Sequence, residues 1–171
     1  MTSEIQGARL GLDKDIIQTH LNAEIQQQLV TMLQQARDSV RISSPLLNPA
    51  IFNNEEIRAA LSKFARRSRS AKVQILVSNA KVVGQRGHRL LELSRRLSTS
   101  VIMRKLDLAE NETQSEYLLV DDCGVIEFGV TEKDPASINF CDRVRNNNLA
   151  EKFDPLWQKS RSPVELRRLV I

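Results

Sequence analysis

Ser115-Glu116-Tyr117-Leu118-Leu119-Val120-Asp121-Asp122-Cys123-Gly124-Val125-Ile126-Glu127-Phe128-Gly129 reads as two strands joined by a tight turn. Apolar residues fill Leu118–Val120 and Val125–Phe128. Asp121-Asp122-Cys123-Gly124 between them supplies turn chemistry. A hairpin of this kind needs a sheet to join, so the sequence before it is read for strands.

Upstream, the pattern alternates between helical and strand periods. Leu21, Ile25, Leu29, Met32, Leu33 and Ala36 recur at helical spacing with one apolar face. Val40-Arg41-Ile42 alternates as a strand, and Ser43-Ser44-Pro45 breaks it. Asn53-Asn54 can cap a second helix, whose buried stripe is Ile57, Ala60, Leu61 and Phe64. Glu55 and Glu56 open that helix and Arg66, Arg67 and Arg69 close it, as the helix dipole favours. Val73–Val77 forms a second strand, a loop with Gly84 and Gly87 follows, and His88–Leu97 makes a third helix. Val101-Ile102-Met103 is a third strand. This order predicts an α/β layered sandwich with a mixed, largely parallel sheet flanked by helices, the hairpin adding antiparallel strands.

Downstream, Ile138-Asn139-Phe140 is a short strand. Asn147 or Asn148 caps a closing helix over Leu149, Phe153, Leu156 and Trp157, which Pro155 kinks or splits. Residues 1–19 form a polar lead-in and 20–160 the folded domain. Residues 161–171 form a tail whose Leu166, Leu169, Val170 and Ile171 dock on the domain or on a second copy.

Composition removes several function classes. No apolar run reaches the length of about 18 residues needed to span a membrane. The N-terminus lacks the basic and apolar regions of a signal peptide. Cys123 and Cys141 lie outside any CxxC spacing and the only histidines are His20 and His88, so neither a metal site nor another cofactor is expected. Two unpaired thiols place the chain in a reducing cytoplasm. Net charge is +4, unevenly spread: Arg58–Lys105 carries thirteen Lys/Arg and one acid, Glu92, against twelve bases and twenty acids elsewhere. If folding gathers the basic middle on one face, that face binds anions; if it interleaves the halves, they make ordinary paired surface.

The element order, the hairpin and Asn148–Ser160, with its Phe153 and Trp157, together resemble one half of a phospholipase D-like domain of an uncharacterised bacterial subfamily. That superfamily carries HxKxxxxD on the hairpin and GSxN seven residues after the aspartate. With the aspartate on Asp122, Gly129 falls on the motif glycine. Ser115 then stands at the histidine, Tyr117 at the lysine, and Val130 and Glu132 at the serine and asparagine. The resemblance implies a histidine nucleophile and a lysine that stabilises phosphoryl charge, and this chain has neither. Catalysis is therefore not expected, and Asp122 is left to cap turn amides. Two halves build one site in that family, so the resemblance implies a homodimer or a partner domain.

The leading expectation is a non-catalytic binding or regulatory domain. Its ligand is nucleic acid or another polyanion, held without base specificity by Arg66, Arg67, Arg69, Lys72, Arg86, Arg89, Arg95 and Arg96. The second is a structural or dimerisation module accompanying another enzyme, an acetyltransferase by resemblance. The third is an atypical phosphodiesterase using Ser115 or Tyr117 in a cleft with His88 or an arginine. Ser43 and Ser44, at a strand end where open α/β sheets place ligands, are secondary binding candidates or simple turn formers.

Overall fold

The structure is a computed structural model that describes residues 7–131 and 133–167. Its strands are β1 (Ile17–Thr19), β2 (Ser39–Ser43), β3 (Lys72–Val77), β4 (Val101–Lys105), β5 (Tyr117–Val120), β6 (Gly124–Glu127) and β7 (Ala136–Asn139). Helices are α1 (Asn22–Gln34), α2 (Pro49–Phe52), α3 (Glu55–Arg67), α4 (Ala80–Arg86), α5 (Arg89–Arg96) and α6 (Arg143–Lys159). The strands form one mixed sheet in the order β1-β7-β6-β5-β2-β3-β4. Parallel pairing is confined to β2–β3 and β3–β4; the other four pairings are antiparallel. The α/β layering is as expected, with a smaller parallel share, because β1 and β7 extend the antiparallel side beyond the hairpin.

Alternation along the strands divides the core in two. Leu118 and Val120 of β5 and Val73, Ile75 and Val77 of β3 face the α1, α3 and α5 side, beside Leu29, Leu61, Phe64 and Leu90. Tyr117 and Leu119 of β5 and Leu76 of β3 face α6, where Leu149, Phe153 and Trp157 cover them. Strand side chains point alternately to opposite faces, so one short hairpin contributes to both layers. Phe153 and Trp157 stack at 5.8 Å, and Arg104 lies 5.4 Å from the Trp157 ring.

Several local expectations change. The Gly84 stretch is helix α4, capped by the Asn79 side chain accepting from the Val82 amide at 3.4 Å. Helix α6 begins at Arg143, earlier than expected, because the Asp142 carboxylate caps the Arg145 amide at 3.0 Å. Pro155 neither ends nor splits that helix; it sits on the exposed side of a continuous run. Asn54 caps α3 as expected, at 3.1 Å to the Ile57 amide. Leu166 is buried against its own domain in a one-turn 3-10 helix, Val164–Leu166, that packs on α4. A Cβ on Gly84 would lie 2.3 Å from the Glu165 carbonyl oxygen, so glycine is what lets this segment dock. Leu169, Val170 and Ile171 lie outside the described residues.

Candidate nucleic-acid interface and motif cleft

Two regions could carry function, and the sheet separates them. The first is a cleft of about 660 Å³ at the ends of β2 and β5, roofed by α6. Ser115, Tyr117 and Gly129 all line it, so the structure brings three motif positions together. Asp122 is not among them. It sits in the β5–β6 turn at the far end of the hairpin, with an exposed side chain 3.7 Å from Arg143.

None of the three has a catalytic setting. Ser115 is exposed, and its backbone carbonyl accepts from the Ser43 hydroxyl at 2.7 Å. Tyr117 is 4% exposed, and its hydroxyl donates to the Leu149 carbonyl at 3.5 Å. Burial foremost pushes the phenol up to about 12. Gly129 is a packing requirement, since a Cβ there would meet the Asp134 carbonyl oxygen at 2.4 Å. Val130, at the motif serine, is 96% exposed, and Glu132 lies outside the described residues. Arg145 in the same cleft is held by Glu127 at 2.9 and 2.5 Å.

The turn role expected of Asp122 belongs to Asp121. The Asp121 carboxylate accepts from the backbone amides of Arg37, Asp38 and Ser39 at 2.7–3.2 Å. Its own amide donates to the Ser39 carbonyl at 2.8 Å, and its φ is +54°. Ser43, 1% exposed, ends β2 at the cleft and its hydroxyl also accepts from Gln114 at 3.0 Å, whereas Ser44, 0% exposed, forms the turn. Ser44 Oγ donates to Glu116 at 2.5 Å and accepts from the Leu47 amide at 3.0 Å. Desolvation foremost raises the Glu116 pKa, against the lowering effect of that bond.

His88 lies across the sheet from the cleft, on the helical side. Its Nδ1 accepts from the Leu90 amide at 3.1 Å, which caps α5, and its Nε2 donates to the Leu47 carbonyl at 3.0 Å. Burial foremost lowers its pKa, with Arg89 adding to the effect. His20 contacts the Lys133 carbonyl through Nε2 at 2.8 Å. Cys123 and Cys141 are buried packing residues, and burial pushes the Cys123 thiol up to about 11. No cluster of metal-ligating side chains occurs among the described residues.

The second region is the outer surface of α3 and α5 with the C-terminal end of α4 beside them. Arg58, Lys63, Arg66 and Arg67 line one shallow depression of about 460 Å³. Arg86, Arg89 and Arg96 line a second of about 340 Å³, and Arg58 belongs to both. Five of the eight cations expected to bind anions therefore gather on this surface. Arg69, Lys72 and Arg95 do not line it: Lys72 donates to the Thr99 carbonyl, and Arg95 to Glu92 and the Leu166 carbonyl. Arg58 and Lys63 were missed, although their i, i+5 and i+8 spacing to Arg66 puts them on its side of the helix. Arg58 is paired with Glu55, at 2.6 and 2.8 Å, and Arg67 is bonded to the Ala36 carbonyl. Lys63, Arg66, Arg86 and Arg96 have no partner among the described residues.

No curated protein matches the chain in sequence. Residues 21–169 match the family described as a domain of unknown function, DUF7931. The chain belongs to that family. Among solved structures it is similar to NucT from Helicobacter pylori, with a TM-score of 0.62, 15% identity, and coverage of 88% of this chain and 98% of that one. It is also similar to Nuc from Salmonella typhimurium, a phospholipase D family member (TM-score 0.59, 14% identity, 88% and 99% coverage). A third neighbour is TrmBL2, an archaeal chromatin protein whose structure shows a novel mode of DNA binding (TM-score 0.59, 15% identity). There the likeness covers 88% of this chain but only 54% of TrmBL2. At such identities the likeness is one of fold. This DUF7931 domain is phospholipase D-like in architecture.

Proposed function

We propose that this phospholipase D-like domain is a non-catalytic module that binds the phosphate backbone of nucleic acid on its α3–α5 surface. The observation that carries the reading is the cluster of cations on α3, α5 and the end of α4, four of them unpaired among the described residues. Against them the two depressions contain one carboxylate, Glu92. Unpaired guanidinium groups release condensed counterions from a polyanion without first giving up a protein partner. The DNA binding of TrmBL2, which shares the fold, adds support. The motif cleft speaks against hydrolysis: Ser115 has no base beside it, Tyr117 is uncharged, and the cleft arginine is engaged by Glu127. Two unpaired buried thiols favour a reducing compartment such as the cytoplasm.

A second reading, a dimerisation module, rests on Val130, fully outward at the cleft rim, with Leu108 beside the same cleft. Light scattering distinguishes a monomer from a dimer, and a Val130→Asp change would dissociate a dimer closed through that rim.

Fluorescence anisotropy with labelled DNA at low salt tests the binding reading. Arg66→Glu/Arg96→Glu abolishes binding, while Ser115→Ala/Tyr117→Phe leaves it unchanged. Equal loss from the cleft pair would move the site to the cleft and overturn the reading.

A further inference from the structure

The chemistry of the α3–α5 surface specifies the form of nucleic acid as well as its charge. We infer that this surface takes double-stranded nucleic acid and reads it without regard to base sequence, an inference that rests on the binding reading above.

Three observations carry it. First, the surface has no stacking platform. All seven aromatic residues of the chain lie elsewhere. Phe52, Phe64, Phe140 and Phe153 are fully buried, Tyr117 lies under α6, Trp157 is on the buried face of α6 itself, and Phe128 leans on Phe52 at 5.5 Å. Single strands are held by stacking on aromatic faces together with a charged groove, and stacking contributes about 1–3 kcal/mol per base. Only the charged part is present here. A flexible strand would have to be ordered with charge contacts alone to offset the lost entropy.

Second, the cations stand on a rigid support. α3 follows β2 and α5 follows β3 in a run of parallel strands, so the two helices run the same way side by side. Arg89 ties their starts together, with its amide donating to the Asn53 side chain at 3.1 Å and its Nε 4.0 Å from Glu55. At 1.5 Å per residue α3 is about 20 Å long, which matches about six base pairs of duplex at 3.4 Å each. A fixed array suits a polyanion whose phosphates are themselves fixed.

Third, apart from the cations themselves the surface offers few base-reading groups. The only amide side chain lining the two depressions, Asn53, has its Oδ1 engaged by Arg89 through two hydrogen bonds, and a third from Arg89 reaches the Asn53 backbone carbonyl. Ala59 and Ser62 lie between the cations and are too short to reach a groove floor. Contacts from an array of cations to phosphate position a duplex and carry no sequence information.

The test uses the full chain and one labelled oligonucleotide of about 20 nucleotides, as single strand and annealed duplex, with an unrelated duplex alongside. Anisotropy titrations run from about 50 to 200 mM salt. Four released phosphate counterions give a slope near −3.6 in log K against log salt, which is a loss of about 100-fold in duplex affinity over that range. The duplex is expected to bind about tenfold more tightly than the single strand, with the two duplexes within a factor of about two. Equal or tighter binding of the single strand, still lost in Arg66→Glu/Arg96→Glu, would overturn the duplex inference and leave the binding reading standing. A large difference between the two duplexes would overturn sequence independence. No binding of either form at the lowest salt would remove both the inference and the reading beneath it.

Discussion

Asp121 and Asp122 are neighbours in one turn and do different work. Asp121 takes a left-handed backbone position and spends its carboxylate on three amides of the loop entering β2, whereas Asp122 only approaches an exposed arginine. Bonds from amides to a charged acceptor are among the stronger hydrogen bonds. Asp121→Ala is therefore expected to cost about 1–3 kcal/mol, and Asp122→Ala less than about 0.5 kcal/mol, by urea unfolding. Equal costs would contradict this division. The sequence showed that a turn lies here, but two adjacent aspartates are equivalent until the chain entering β2 is brought beside one of them. The sequence register put Ser115 and Tyr117 on one strand of the hairpin, and both line the cleft. That Tyr117 is buried beneath α6 depends on a helix thirty residues away.

At the scale of elements, amphipathic periods found most of what is there. Helices α1, α3 and α5 and strands β2 to β6 follow from their apolar spacing. α4 and β1 did not: glycines argued for a loop in one case, and three residues give too short a pattern in the other. Gly84 tolerates the helix because what it needs is space for the Glu165 carbonyl. An alanine normally stabilises a helix interior by about 1 kcal/mol over glycine. Here Gly84→Ala is expected to destabilise, since the added Cβ would meet backbone at 2.3 Å. A rise in melting temperature would contradict the packing of the 164–166 segment. Pro155 behaves in the opposite way. It removes one helical hydrogen bond on an exposed side, so Pro155→Ala should raise stability by about 1–3 kcal/mol.

The cap of α5 makes a pH-dependent element. His88 is neutral and uses both ring nitrogens, and its pKa is lowered on folding. The unfolded chain therefore binds the proton more readily, and stability present above pH ~6.5 is lost as pH falls below it. Glu116 has the opposite sign: its raised pKa means the folded chain holds a proton more readily just above the ordinary carboxylate range. The two are separated by His88→Asn, which keeps an amide acceptor for α5 and removes the titration. Between pH 7.5 and 5.5 the wild type should lose more thermal stability than the variant, and parallel losses would contradict the assignment.

Across the whole molecule the sheet acts as a partition. On one side α6 closes a cleft lined by Ser115, Tyr117 and Gly129. On the other, α3 and α5 carry Lys63, Arg66 and Arg96, which have no partner among the described residues, beside arginines that are engaged. The uneven charge of the sequence foretold a basic surface, but which cations share it was not legible. Lys72 and Arg95 are spent on carbonyls and a carboxylate, and Arg58 and Lys63 enter only through the helical register. Hydrogen–deuterium exchange with and without a DNA duplex tests the partition most directly. The account predicts slowed exchange in residues 55–67 and 86–96, with 115–130 and 143–159 unchanged. Protection confined to 115–130 and 143–159 would place the ligand in the motif cleft and contradict it.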